Sequence, residues 1–134
     1  MTLVIDASLM VAALVDGGPT GRWAADVVLS DDLAAPHLMP VEAANILRRA
    51  AHSDEISSDV ASLAHADLLD LRVALFPYAP VASRAWELRE NLTLYDAWYV
   101  ALAELLDAKV ATLDARLSRA PGPTCGFVLP PTRT

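Results

Sequence analysis

The chain is poor in residues that anchor several common chemistries. It has one cysteine, Cys125, which excludes an internal disulfide and a multi-cysteine zinc site. The histidines His37, His52 and His65 fall without metal-ligand spacing, and no Ser-His-Asp order stands out. Its single lysine, Lys109, follows no glycine, so a nucleotide-binding P-loop is excluded. Aromatic residues make up only 6% of the chain. No apolar run approaches the roughly 18 residues of a membrane span. The N-terminus has no basic region of a signal peptide, and Asp6 breaks its apolar stretch. A cytoplasmic protein without membrane contact is therefore expected. Basic charge is also scarce, with 10 Lys and Arg against 17 Asp and Glu, a net charge of −7. Such a balance argues against holding nucleic acid on a basic surface. If the substrate is nonetheless a nucleic acid, positive charge must come from elsewhere, and a bound divalent metal ion is the obvious source.

What the chain does have is apolar content: 54% of its 134 residues. That suits one domain, residues 1–134, with a real core. Apolar, β-branched stretches predict strands at Leu3–Ile5, Leu33–Ala35, Val73–Phe76, Val110–Leu113 and Gly126–Leu129. Between them, helices are predicted over Ala7–Val15, Gly21–Leu29 with Thr20 as cap, Pro40 to about Ala51, and Ser57–Leu71. Further helices are predicted at Val81–Glu90, Leu94–Leu106 and Ala115–Arg119. In the Ser57 helix Val60, Leu63, Ala64 and Leu68 form the apolar face. Alternation of strand and helix points to a three-layer α/β/α domain with a central parallel sheet. Ligands of such sheets sit beyond the carboxyl ends of the strands, where the strand order reverses.

Four carboxylates fall at strand ends or helix starts: Asp6, Glu42, Asp96 and Asp114. Each has a purely structural explanation. Asp6 and Asp114 suit helix N-caps, Thr93 and Asp96 approximate a capping box, and Glu42 complements a helix dipole. Together they carry a second one. Strand ends and the following helix starts share one edge of a parallel sheet, so the four should converge. Capping does not require convergence, and like charges brought together cost stability. A hard divalent cation such as Mg²⁺ or Mn²⁺ removes that cost. Asp96 is the sharpest case, because its helix is apolar nearly all round and therefore central. Ser8, Asn45 and Thr112 stand two or three positions from these acids, as polar neighbours of a site or as ordinary helix and strand residues. Arg22, Arg48, Arg49, Arg116 and Arg119 are available for phosphates, or are simply solvated.

Three segments resemble a known family. "VIDASLMVAALV" resembles the first motif of PIN domains of the VapC type, an Asp closing strand one with Ser or Thr two residues on. "PVEAANILRRA" resembles the second motif, and "LTLYDAWYVALAELLDAKVATLDARL" the third block with its T-x-D. The resemblance runs in order along nearly the whole chain. It implies a PIN-like fold and an acidic quartet, Asp6, Glu42, Asp96 and Asp114, that binds Mg²⁺ or Mn²⁺ and is supported by Ser8, Asn45 and Thr112. It also implies an endoribonuclease toxin that acts on structured RNA such as tRNA or rRNA and inhibits translation. A homodimer and neutralisation by a VapB-type antitoxin are implied as well.

Two rival readings stay in view. A phosphoaspartate-type phosphotransfer domain also places an Asp after a parallel strand, but it needs a lysine near a strand's carboxyl end, and Lys109 starts its strand. A catalytically silent PIN-like binding module would keep the fold and act only through its partners.

Overall fold

The computed structural model describes residues 1–132. Five strands form a single parallel sheet: β1 (Thr2–Ile5), β2 (Asp32–Pro36), β3 (Val73–Phe76), β4 (Lys109–Ala111) and β5 (Phe127–Val128). Their spatial order is β3-β2-β1-β4-β5. The chain therefore winds outward from β1 to β3, returns, and continues on the other side of β1. The order reverses between β1 and β4, and the Asp6 backbone N–H bonds to the Ala111 carbonyl across that junction at 3.2 Å. Val4, Ala34 and Val110, side by side in the three central strands, are essentially inaccessible. This is the burial of a sheet covered on both faces.

Helices α1 (Ala7–Val15), α2 (Pro19–Ser30), α3 (Met39–His52) and α4 (Ser58–Asp70) pack on one another and share the larger apolar core with the sheet. A single 3₁₀ turn, Ala79–Val81, leads into α5 (Ala82–Glu87), which packs on α6 (Leu94–Leu105). Helix α6 lies against β1, β2 and β4. Tyr99, Leu102 and Ala103 face the larger core, and Ala97, Val100 and Ala101 a smaller one with Leu88 and Leu117. The expected central position of this helix follows from that two-sided burial. The short α7 (Ala115–Arg119) follows β4.

Several boundaries depart from the sequence expectation for definable reasons. Helix α2 begins at Pro19, with Gly18 as cap, rather than after Thr20. Proline suits the first helical turn because its missing N–H has no intrahelical partner there. Gly21 permits close contact, since a Cβ on it would lie 1.7 Å from the Asp16 carbonyl oxygen. The expected Val81–Glu90 helix is a 3₁₀ turn plus a shorter α-helix. Strand β4 ends at Ala111, not Leu113. In α4, Ala64 and Leu68 are buried, whereas Val60 and Leu63 point to solvent at 45% and 65% exposure. Helix α4 packs chiefly on α1 and α3, so only a narrow stripe of it finds a partner.

Candidate active site

The four acids meet at the carboxyl edge of the sheet. Asp6 leaves β1, Glu42 stands in the first turn of α3, Asp96 in the first turn of α6, and Asp114 caps α7. All four line one cavity of about 320 Å³, together with Ser8, Asn45, Arg49 and Tyr99. It opens where the strand order reverses, the position at which doubly wound sheets bind ligands.

Asp6 is the most enclosed. One carboxylate oxygen, Oδ1, accepts from Ser8 Oγ at 2.9 Å and from the Leu9 backbone N–H at 2.9 Å. The other, Oδ2, accepts from the Thr112 hydroxyl. Asp6 is therefore both the N-cap of α1 and a wall of the cavity, so the capping and site readings are not exclusive. Burial pushes its carboxyl pKa up, the Thr112, Leu9 and Ser8 hydrogen bonds oppose this, and the Asp114 charge adds to the rise. Thr112 is fully buried and does not line the cavity. It acts from below, because its oxygen also accepts from the Asp114 backbone N–H at 3.0 Å. It thereby joins the two acids that close adjacent strands.

Glu42 Oε1 accepts from the Tyr99 phenol at 2.7 Å. Burial raises the Glu42 pKa, the Tyr99 bond lowers it, and the charges of Asp96 and Asp6 raise it. Burial also raises that of Asp96, as do the charges of Asp114 and Asp6, against a lowering by the Thr93 hydroxyl. The carboxylates therefore raise one another's pKa values. Asn45 reaches the cavity, but its Oδ1 accepts from Arg48 Nε at 3.1 Å. Ser8 donates to Asp6.

Sequence reasoning does not single out Tyr99. The available signal is its position three residues after Asp96, on the same face of α6. Burial and the neighbouring Glu42 hold its phenol protonated well above the usual range, so it remains a donor. Lys109 starts β4, at the opposite edge of the sheet from the acids, so a phosphotransfer site would lack its lysine.

The donor set is entirely oxygen, which suits a hard cation. Among the described residues no three His, Cys, Asp or Glu side chains stand close enough to hold one ion between them. An all-oxygen, acidic cavity is the chemistry that suits Mg²⁺ or Mn²⁺, since Mg²⁺ needs only one or two carboxylates and keeps several waters.

A PIN domain model matches residues 3–123. Ribonuclease VapC1 of Mycobacterium tuberculosis (strain ATCC 25618 / H37Rv) is 41% identical over 127 residues, 94% of this chain and 96% of its own. The chain belongs to the VapC family of PIN domains. Among solved structures, PAE2754 from Pyrobaculum aerophilum superposes with a TM-score of 0.70 at 25% identity, covering 95% of this chain and 83% of its own. A toxin-antitoxin complex from Klebsiella pneumoniae contains a chain of the same fold, with a TM-score of 0.66 at 18% identity and coverage of 96% and 97%. The acids of this VapC chain occupy the carboxyl edge of that shared sheet.

Proposed function

We propose that this protein is a cytoplasmic, single-domain ribonuclease toxin. On this reading it is an Mg²⁺- or Mn²⁺-dependent endoribonuclease that cuts structured RNA such as tRNA or rRNA and so inhibits translation. The observation that carries the reading is the convergence of Asp6, Glu42, Asp96 and Asp114 on one cavity, with three of the four carboxyl pKa values raised and no lysine among them. Family membership and relatives named as ribonucleases support it.

Bound at such a site, a divalent ion supplies Lewis-acid polarisation of a phosphodiester and a water nucleophile at neutral pH. The chain's own part is to hold and orient. Asp6, Glu42, Asp96 and Asp114 are the residues that would hold the ion. Ser8 and Thr112 fix the Asp6 carboxylate, and Tyr99 fixes that of Glu42. Among the described residues no histidine or cysteine lines the cavity, and the Ser8 hydroxyl donates to Asp6. The attacking group on this reading is therefore water rather than a protein nucleophile.

The same acidity gives the partner its handle. An arginine pairs bidentately with carboxylates. A VapB-type antitoxin segment that placed one in this cavity would compete with the metal, and a homodimer would present two such cavities. The test is incubation of labelled tRNA and rRNA fragments with partner-free protein and Mn²⁺ or Mg²⁺. Internal cuts that EDTA and Asp6→Asn abolish are expected. Cleavage that survives both would refute the assignment.

A further inference from the structure

The acidic cavity does not end at the acids. A second cavity of about 260 Å³ adjoins it and shares three lining residues with it, Asp96, Asp114 and Leu117. Arg49 from α3 lines the first and not the second. The wall of the second carries Arg116 from α7. A chain with 10 basic residues against 17 acidic ones thus places one exposed arginine in each of the two cavities that meet at Asp96 and Asp114.

We propose that the two cavities are one groove for a polynucleotide strand. The phosphodiester to be cut lies at the shared Asp96 and Asp114, and Arg49 and Arg116 hold the phosphates on either side of it. This rests on the ribonuclease reading and adds the path of the substrate. Both arginines are free to serve. Arg49 forms no ion pair among the described residues, whereas its neighbour Arg48 is tied to Asn45. Arg116 meets Asp114 only at 3.7 Å, with its own side chain 88% exposed. An exposed pair of that kind contributes little and exchanges easily for a phosphate. With both arginines exposed, a strand can enter at one and leave at the other. The bond presented to the acids is then an internal one.

The experiment measures binding rather than cleavage. A fluorescent single-stranded RNA oligonucleotide is titrated by anisotropy, with Mn²⁺ present, in the Asp6→Asn background so that the RNA stays intact. Asp96→Asn serves as a second background if the first is poorly folded. Arg49→Gln and Arg116→Gln should each weaken binding about tenfold, the value of one charge-assisted phosphate contact. Each should also flatten the slope of log affinity against log salt by about 0.7. Arg72→Gln removes the same charge just before β3, at the opposite edge of the sheet, and should change neither. A dinucleotide with one phosphodiester should compete about 100-fold more weakly than the oligonucleotide, with no response to either arginine change. Unaltered affinity and salt slope in both arginine variants, or equal binding of the dinucleotide, would overturn the groove. Arginine-dependent binding by a wild-type protein that cuts no RNA would instead sink the ribonuclease reading and leave the groove standing.

Discussion

Helix α6 carries one carboxylate in its first turn and another in its last, and they are held in opposite ways. At the far end Glu104 meets Arg84 through two bonds, 2.6 Å from Nε and 3.1 Å from a terminal nitrogen, and accepts the Thr124 backbone N–H at 2.8 Å. Arg84 also donates to the Gly122 carbonyl at 2.9 Å, which pins the segment after α7 onto the helix. Burial works to raise the Glu104 pKa, but the Arg84 hydrogen bonds, the Thr124 N–H and the Arg84 charge together hold it below its usual value. At the near end Asp96 has a hydroxyl beside it and two further carboxylates in range, and its pKa is raised. One helix thus separates a carboxylate that closes the structure from one left without compensation. Carboxyls perturbed by burial and by one another in a cleft mark a candidate functional site.

The contrast breaks most sharply in activity. Asp6→Asn and Asp96→Asn keep side-chain shape and remove charge, so each should lower RNA cleavage by at least about 10²–10³-fold. Glu104→Gln should leave the turnover rate within a few-fold and instead destabilise the fold by about 1 kcal/mol, since it strips a partly exposed Arg84 of its partner. Cleavage rates and urea midpoints on the same three variants decide this. A Glu104→Gln variant as inactive as Asp96→Asn would erase the distinction.

The next effect concerns metal. An ion that binds only the folded protein stabilises it by about 2.7 kcal/mol at a free concentration one hundred times its Kd. Differential scanning fluorimetry should therefore show a melting temperature that climbs with Mn²⁺ in wild type and in Glu104→Gln, and stays level in Asp96→Asn. A wild-type curve indifferent to Mn²⁺ would remove the metal site altogether.

Much of this contrast is legible in the sequence. Strand and helix alternation gives the parallel sheet, and the four acids at strand ends or helix starts give their shared edge. Local pattern does not give the supports. Thr112 is singled out in the sequence as a polar neighbour of Asp114, but its bond to Asp6, 106 positions away, is not, and it forms because the strand stops at Ala111. Tyr99 reads as one of many apolar residues in α6, and its role depends on Glu42, 57 positions away. Such long-range bonds are set by how helices pack, which no short spacing encodes. The exposed Val60 and Leu63 of α4 have the same origin, because amphipathic pattern tells which residues can be buried and not how much of the helix its neighbours α1 and α3 cover.

Those supports define a smaller effect. Tyr99→Phe removes one oxygen and leaves the ring in place, and Thr112→Val is nearly isosteric. Each should lower cleavage by about 10–100-fold, the usual cost of losing a group that orients a ligating residue. Most of that loss should fall on Mn²⁺ affinity, so raised Mn²⁺ recovers much of the rate. A loss that Mn²⁺ does not recover would place these residues in packing alone.

The smallest effect is in the stability of the metal-free protein against pH, and its sign separates the two ends of α6. Asp6, Glu42 and Asp96 have folded pKa values above the ordinary 3.8 and 4.5 of free carboxyls. The folded state then binds more protons than the unfolded chain as pH climbs from about 4, so stability falls until the raised pKa values are passed. Glu104 has the opposite sign, since its lowered pKa contributes stability above 4.5 that is lost as pH drops through the folded value. With chelator present, the melting temperature should therefore decline from mildly acidic pH towards neutral, and Asp96→Asn should flatten the decline. Glu104→Gln should shift the whole curve down without changing its slope in that window, and should converge on wild type once pH falls below the lowered Glu104 pKa. Added Mn²⁺ should reverse the wild-type slope, because metal binding favours the deprotonated carboxylates and releases their protons. A chelated wild type whose stability rises steadily from pH 5 to 8 would mean that the acids at the sheet edge are as well compensated as Glu104, and the contrast within α6 would vanish.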